Sequence, residues 1–464
     1  MPGIFSAIES GKRALLTNQA VLQTVGQNIA NVNTPGYRRQ RVNIGATAPE
    51  TIAQGMLGTG IQVESIRQMR DLFLGQQERD ATKSLGQWSY KEKALSEIES
   101  IYNEPQDNSM SQLLTEFWDS WSELATNSDS ISGRKAVVAT AGRLISGFQQ
   151  LSKKMTDLRD AANGEVNSMV SDINEMTGEI ARINQQIARA ELDGTSANDL
   201  RDARDRVIQD LAQLVDVRTI DKPDGSTSVL MGAMTLVDGP QNMKIDYESE
   251  NMNGVNTSRI VWAGTDMRLT NLGGKLAGLT ETRDKILPKQ ISDIDALART
   301  IIEQVNSLHR AGYGMNGTTN VAFFDTTALT AATMRLNSEV ALDPSRVAAS
   351  ASATGDNNIA LSMSELRLAR VMSNGTSTIN DYYDAVVANA GLMSKEATTT
   401  AANYELLVQQ INNARQSVEG VNLDEEMTNL VKYQHAYDAS ARVITAMDQA
   451  LDTVISGMGI VGRI

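Results

Sequence analysis

Six apolar residues, Leu423, Leu430, Tyr437, Ile444, Leu451 and Met458, stand seven apart at the C-terminal end of this chain. A seven-residue repeat lays one narrow stripe along a helix, and such a helix gains little until something covers the stripe. Met427 adds to the same stripe one turn after Leu423. The opposite end carries the pattern as two interleaved series. Ile4, Gly11, Asn18, Val25 and Val32 alternate with Ile8, Leu15, Leu22 and Ile29, the arrangement of the a and d positions of a coiled coil. Asn18 is a polar residue within that seam, of the kind that sets register. Each end therefore needs a partner.

Charge indicates which one. Residues 1–44 hold Lys12, Arg13, Arg38, Arg39 and Arg41 against Glu9 alone. Residues 421–464 hold Asp424, Glu425, Glu426, Asp438, Asp448 and Asp452 against Lys432, Arg442 and Arg463. Opposite signs favour pairing the two ends, in one intramolecular bundle or between copies, although an exposed ion pair is worth under about 1 kcal/mol. The first helix should stop at Asn33-Thr34-Pro35-Gly36, because Pro35 pushes Thr34 toward extended geometry and Gly36 can take a positive φ. Gly420-Val421-Asn422 breaks the pattern before the last helix. Asn422 is placed to cap it, with Asp424 and Glu425 facing the positive end of its dipole.

Between the ends the period changes twice. Residues 45–71 contain five glycines or prolines and then Ile61-Gln62-Val63-Glu64-Ser65-Ile66, which alternates with period two and reads as a linker with one strand or hairpin. Helical spacing dominates from Leu72 to Ala190. After Leu214, the two runs Val215–Ile220 and Thr227–Met231 flank Lys222-Pro223-Asp224-Gly225 as a hairpin would. A helix from about Lys275 to Arg310 is interrupted or bent at Pro288, which has no amide proton for the ladder. A Gly-, Asn- and Thr-rich stretch follows over 312–360, and helical spacing resumes at Ile379.

The expected architecture is mainly α with a smaller β-containing domain, elongated and multi-domain, with paired terminal coiled-coil helices, a long helical bundle body and a β-rich mid-chain domain. Its segments are an N-terminal assembly helix and turn (1–44), an extended linker or hairpin (45–71) and a helical body (72–212). A β-rich domain (213–272), a further body helix (273–312) and a β-rich or irregular return (313–364) come next. The rest of the body (365–420) and the C-terminal assembly helix (421–464) close the chain.

Composition narrows the function. With a net charge of −14, the chain lacks the basic surface that phosphate backbones require, so no nucleic-acid partner is expected. No apolar run is long enough to span a membrane, and no secretory signal peptide opens the chain. Aromatic residues make up only 4%, which favours thin helical bundles over bulky aromatic cores. There is no Cys, and the only imidazoles are His309 and His435. Neither stands in a metal-binding pattern, so no metal, cofactor or catalytic site is expected. His309 reads as a helix C-terminal cap and His435 as a surface or seam-edge residue. The Asp221–Ser226 stretch lacks calcium-loop spacing and reads as a turn. The expected role is structural, through self-assembly.

The segment Gln27-Asn28-Ile29-Ala30-Asn31-Val32-Asn33-Thr34-Pro35-Gly36-Tyr37 resembles the N-terminal signature of bacterial flagellar rod, hook and hook-associated proteins. Val421-Asn422-Leu423-Asp424-Glu425-Glu426, followed by Leu430, Tyr433, Gln434, Tyr437 and Ala441, resembles the matching C-terminal signature. Mid-chain, Asn198-Asp199-Leu200 with Arg204-Asp205, and Arg283-Asp284 through Val305–Tyr313, resemble the hook-associated branch that joins hook to filament. The resemblance implies an extracellular subunit of the hook–filament junction, exported through the flagellar type III apparatus without a cleaved signal. Implied partners are further copies in a ring-like homo-oligomer, the hook protein, the second junction protein and a cytoplasmic export chaperone. The assembly interface would comprise Ile4, Ile8, Leu15, Asn18, Leu22, Val25 and Ile29 at one end, Leu423, Met427, Leu430, Tyr437, Ile444, Leu451 and Met458 at the other, with Asn31, Asn33, Pro35, Gly36 and Tyr37. The chaperone would hold Leu423, Leu430, Tyr437, Ile444 and Leu451. The Tyr37 and Arg38–Arg41 stretch would contact a neighbouring copy. Compared with larger relatives, 312–360 leaves little room for a separate outer domain. Another axial protein, or a secreted adhesin with a helical stalk, are the competing readings.

Overall fold

A computed structural model describes residues 2–52, 55–102, 109–252, 255–352 and 355–458. The first helix, α1 (Pro2–Ala30), ends in turns over residues 31–36, with Gly36 at φ 77°. A long antiparallel ribbon follows. β1 (Gln40–Ala46) pairs with β4 (Ile61–Gln68), and β2 (Glu50–Ile52) pairs with β3 (Gly55–Leu57) at its tip. The ribbon thus starts before residue 45, inside the segment expected to be only helix and turn, because Gln40–Asn43 find their ladder partners in Ser65–Gln68. It lies along α1, where Gly60 comes against Ser10.

The body starts with α2 (Leu72–Tyr102), α3 (Met110–Thr126) and α4 (Ile131–Ala190). At about 1.5 Å per residue the 60-residue α4 is about 90 Å long, which makes the molecule elongated. Ser109 and Ser130 cap α3 and α4 through their hydroxyls. After α5 (Asn198–Leu214) comes a four-stranded antiparallel sheet of β5 (Arg218–Asp221), β6 (Thr227–Met231), β7 (Met234–Asp238) and β8 (Gln241–Asn242), ordered as in the sequence. The Lys222–Ser226 turn joins its first two strands, with Gly225 at φ 80°. β9 (Ile245–Met252) and β10 (Val255–Trp262) form a separate hairpin.

The helix expected to be interrupted or bent at Pro288 is interrupted just before it, by a local change of hydrogen bonding. α6 (Gly274–Glu281) passes through one π turn, Thr282–Ile286, into α7 (Leu287–Ala311) with Pro288 in its first turn. Leu287 N–H bonds five residues back to Thr282, so the helix takes up an extra residue where Pro288 supplies no donor. The return segment is mostly irregular, with β11 (Tyr313–Gly314), α8 (Ser338–Leu342), β12 (Ala348–Ser350) and α9 (Asn358–Glu365). Thr378 and Asp381 form a capping box that starts α10 (Ile379–Glu419). The chain ends in α11 (Leu423–Met458).

Two apolar cores fill the body. One is aromatic, contrary to what the low aromatic content suggested: Phe117, Trp118, Trp121, Phe148, Phe323 and Phe324 are all sealed within it. Few aromatics suffice because they are concentrated in one place. His309 belongs to this core and is no cap. Its Nδ1 donates to Val321 O at 2.7 Å, and its Nε2 accepts the Ala348 N–H at 2.9 Å. Burial holds the imidazole well below its ordinary pKa of 6.5, at about 4, so it is neutral at pH 7. The second core packs α4, α5 and α6 against the four-stranded sheet.

Candidate assembly interface

The two heptad-patterned ends meet within one chain. α1 and α11 run antiparallel, with Gly11 beside Ile444, Asn18 donating to Ser440 Oγ at 3.3 Å, and Asn28 donating to Glu426 Oε2 at 3.2 Å. A Cβ on Gly11 would come 3.0 Å from Ile444 Cγ1, so the small residue lets the helices approach. Asn422 Oδ1 accepts the N–H groups of Asp424 and Glu425 and caps α11.

The side chains of the expected interface are distributed unevenly. Asn18 and Val25 are buried, and Ile8, Leu15, Leu22, Ile29, Asn31 and Tyr37 are partly buried. On α11, Leu430, Tyr437, Ile444 and Leu451 are partly buried, while Leu423 and Met427 remain about half exposed. Asn33, Pro35 and Gly36 are exposed. The side chains of Ile4 and Met458 lie outside the described residues. A second row on α11 was not recognised from the sequence: Glu426, Tyr433, Ser440, Met447 and Val454 also stand seven apart, and all are shielded. Two polar members, Glu426 and Ser440, disguise it.

Apolar side chains are left on the outside of this pair. Phe5 and Leu16 of α1 are 65% and 52% exposed, and Val431, Val443 and Ile455 of α11 are 48%, 45% and 60% exposed. Met56 and Leu57 at the ribbon tip are likewise uncovered.

Where α1, its turn and α11 reach the body, the contacts become polar. Asn28, 1% exposed, uses its whole hydrogen-bonding capacity. Its amide donates to Gln40 O and Glu426 Oε2, and its carbonyl accepts from Tyr37 OH and the Gln40 N–H. Arg38 points the other way. Its guanidinium meets Asp205 at 2.5 Å, Glu419 at 2.9 Å and Asp202 at 3.4 Å. Arg39 turns back to α11, at 2.9 Å from Glu425 and 2.6 Å from Glu426. Within the stretch expected to contact a neighbouring copy, Tyr37, Arg38 and Arg39 have partners in their own chain, and Arg41 is exposed. Lys12 and Arg13 do not reach α11 and pair with Glu9 on their own helix.

Burial shapes the charges at this join. It opposes ionisation of Glu419 and Asp205, yet both carboxyls are held below the usual range. The Asp71 N–H, Arg38 and Arg415 do this for Glu419, and Arg38, Arg70 and Arg204 do it for Asp205. Asp202 is pushed up to about 7, because burial there outweighs the Arg38 N–H and guanidinium. An open cleft of about 1010 Å³ lies beside the join, between the 32–37 turn and the facing parts of α5 and α10.

The motifs in these ends match known families. Residues 8–38 match the model of flagella basal body rod proteins, and 407–457 match the C-terminal model of the flagellar basal body rod FlgEFG proteins. Residues 95–324 match the helical domain of the flagellar hook-associated protein FlgK. Flagellar hook-associated protein 1 of Bacillus subtilis is 31% identical, with both chains covered in full. The chain belongs to the flagellar hook-associated protein 1 family. Hook-associated protein 1 of Salmonella typhimurium is 24% identical over 97% of this chain and 99% of its own. The solved flagellar hook junction protein FlgK of Burkholderia pseudomallei shares the fold, with a TM-score of 0.67 over 74% of this chain and all of that one, at 17% identity. Membership of the hook-associated protein 1 family makes this chain a structural component of the flagellum. Among the described residues, no helix is long and apolar enough to cross a membrane.

Proposed function

We propose that this chain is a non-enzymatic subunit of the hook–filament junction, and that it assembles with further copies in a ring through its terminal helices. The observation that carries the reading is the state of those helices. Their seams close on each other, and Phe5, Leu16, Val431, Val443 and Ile455 stay exposed on the outside of the pair, although the body also leaves side chains such as Leu192, Leu342 and Leu368 uncovered. Apolar surface is worth roughly 25 cal/mol per Å² when covered, so rows of such contacts repeated around a ring make a durable joint. The eight segments set out above are its working parts: a terminal zone facing the hook protein, and a helical body with β-containing pieces continuing toward the second junction protein.

Before α1 and α11 have closed on each other, the α11 side of their seam needs cover. The reading therefore includes a cytoplasmic export chaperone on α11 at Leu423, Leu430, Tyr437, Ile444 and Leu451, and export without a cleaved signal to an extracellular position on the flagellum. Removing residues 423–464 tests it. The body should remain folded and incorporation at the junction, followed by labelling on purified flagella, should be lost. A truncated chain that still takes its place there overturns the reading. Leu430→Asp with Ile444→Asp should weaken chaperone capture and assembly together.

A further inference from the structure

Asparagine is among the thermolabile side chains, and it is most so before glycine, whose missing side chain leaves the next amide nitrogen unshielded. Four such steps occur in this chain, at Asn163, Asn253, Asn316 and Asn374. Asn253 lies outside the described residues. The other three have different surroundings. Asn163 stands within α4, and its Oδ1 accepts from the Ser258 N–H at 2.7 Å and from Arg283 Nη1 at 3.0 Å. Helical geometry also holds the following nitrogen away from the side-chain carbonyl carbon. Asn316 is exposed but tied down. Its Nδ2 donates to Asp343 at 3.4 Å, and its Oδ1 accepts from the N–H and hydroxyl of Thr318 at 3.1 and 2.6 Å.

Asn374 has no such restraint. Its side chain is exposed and, among the described residues, has no hydrogen-bond partner. A Cβ on Gly375 would meet only Arg370 O, at 3.8 Å, so the step is open to water on that side as well. The backbone is strained there too. Ser373 and Asn374 have φ of 51° and 59°, in the left-handed region that is costly for a residue with a Cβ, and among the described residues Asn320 is the one other non-glycine with positive φ. They are the central residues of a turn that leads into α10. It closes on a single acceptor, since the N–H groups of Gly375, Thr376 and Ser377 all point to Met372 O, at 3.0, 3.1 and 3.3 Å. Met372 and Ile379 are buried in the aromatic core on either side, so opening is confined to the tip.

We propose that Asn374-Gly375 is the step at which the folded chain deamidates first, and that the product reshapes the turn feeding α10. The Gly375 nitrogen loses its proton to hydroxide and attacks Asn374 Cγ. A C–N bond forms, the Cγ–Nδ2 bond breaks, and ammonia leaves with a proton returned from solvent. Water then opens the resulting succinimide at one of its two carbonyls, giving an aspartate or an isoaspartate. Both add a negative charge ahead of α10, and the isoaspartate also inserts a methylene into the main chain of the turn. This concerns the body and is independent of how the chain assembles.

The intact chain, aged at mildly alkaline pH and digested in acid, can be followed by mass spectrometry of the peptides around positions 163, 316 and 374. The peptide with Asn374 should convert several-fold faster than the other two, speed up with rising pH, and accept methyl groups from S-adenosylmethionine in the presence of an L-isoaspartyl methyltransferase. Aged in denaturant, the three should convert at similar rates. Conversion at Asn374 no faster than at Asn163 or Asn316 in the folded chain overturns the proposal. So does a lead for Asn374 that persists unchanged in denaturant, which would take the selectivity away from the fold. In the converted chain, amide exchange at residues 375–377 should quicken while α3 is unchanged; exchange that stays the same at 375–377 overturns the effect on the turn.

Discussion

In the body, Phe117, Trp118 and Trp121 of α3 are sealed against Phe323 and Phe324, and a buried imidazole ties α7 to Val321 and to Ala348 of β12. In the arm formed by α1, the β1–β4 ribbon and α11, none of Leu430, Tyr437, Ile444 and Leu451 is fully buried, and the seam between the helices is crossed by amide, hydroxyl and carboxylate bonds. Both regions are long helices drawn from one chain. The body encloses two sealed cores, whereas the arm has a narrow and only partly shielded seam, and both leave apolar side chains outside. Helix content therefore says little about where stability resides; what each helix covers says more.

That contrast can be broken most forcefully at Trp121. Trp121→Ala should cost about 3–5 kcal/mol and lower the melting temperature of the body, with amide exchange in α1 and α11 unchanged. Coupled loss of protection in both regions would show that they unfold as one. Acid offers the next largest effect. His309 has its folded pKa depressed from 6.5 to about 4, so the unfolded chain takes up its proton first as pH falls. Its contribution is fully present above pH 6.5 and is lost toward pH 4. The gap corresponds to on the order of 3 kcal/mol. His309→Gln should flatten the fall in body stability across that window, measured by denaturant unfolding at several pH values.

In the arm, Asn28→Ala leaves the Gln40 N–H, Gln40 O and Tyr37 OH without their partner, at about 1–3 kcal/mol. Amide exchange should quicken in α11 and β1 and stay unchanged in α3. The smallest effect belongs to exposed pairs such as Lys153 with Asp157, where Lys153→Ala should change stability by less than about 0.5 kcal/mol.

The sequence reveals these two regions to different degrees. A seven-residue spacing survives as long as its members are apolar, which is why the row from Leu423 to Leu451 could be read directly. The parallel row through Glu426 and Ser440 could not, because a carboxylate in a seam looks like surface until Arg39 and Asn28 are placed beside it. Arg38 is the extreme case. Its carboxylates lie 164, 167 and 381 residues away, so no local window contains them. Pro288 signalled a break in its helix, but a proline specifies only the missing donor, and the π turn is the backbone's answer to it. The aromatic core was hidden for another reason: overall composition averages away a cluster drawn from α3 and from residues 323–324.

The pairing of Asn18 with Ser440 spans 422 residues, nearly the whole chain. On a ribosome adding about 5–20 residues per second, α1 emerges first and then waits roughly 20–80 s before the residues that cover it exist. Through that interval the body can close on itself, but the arm cannot. The first helix to be made is therefore among the last to be completed, and its seam must be kept from other company for the longest time.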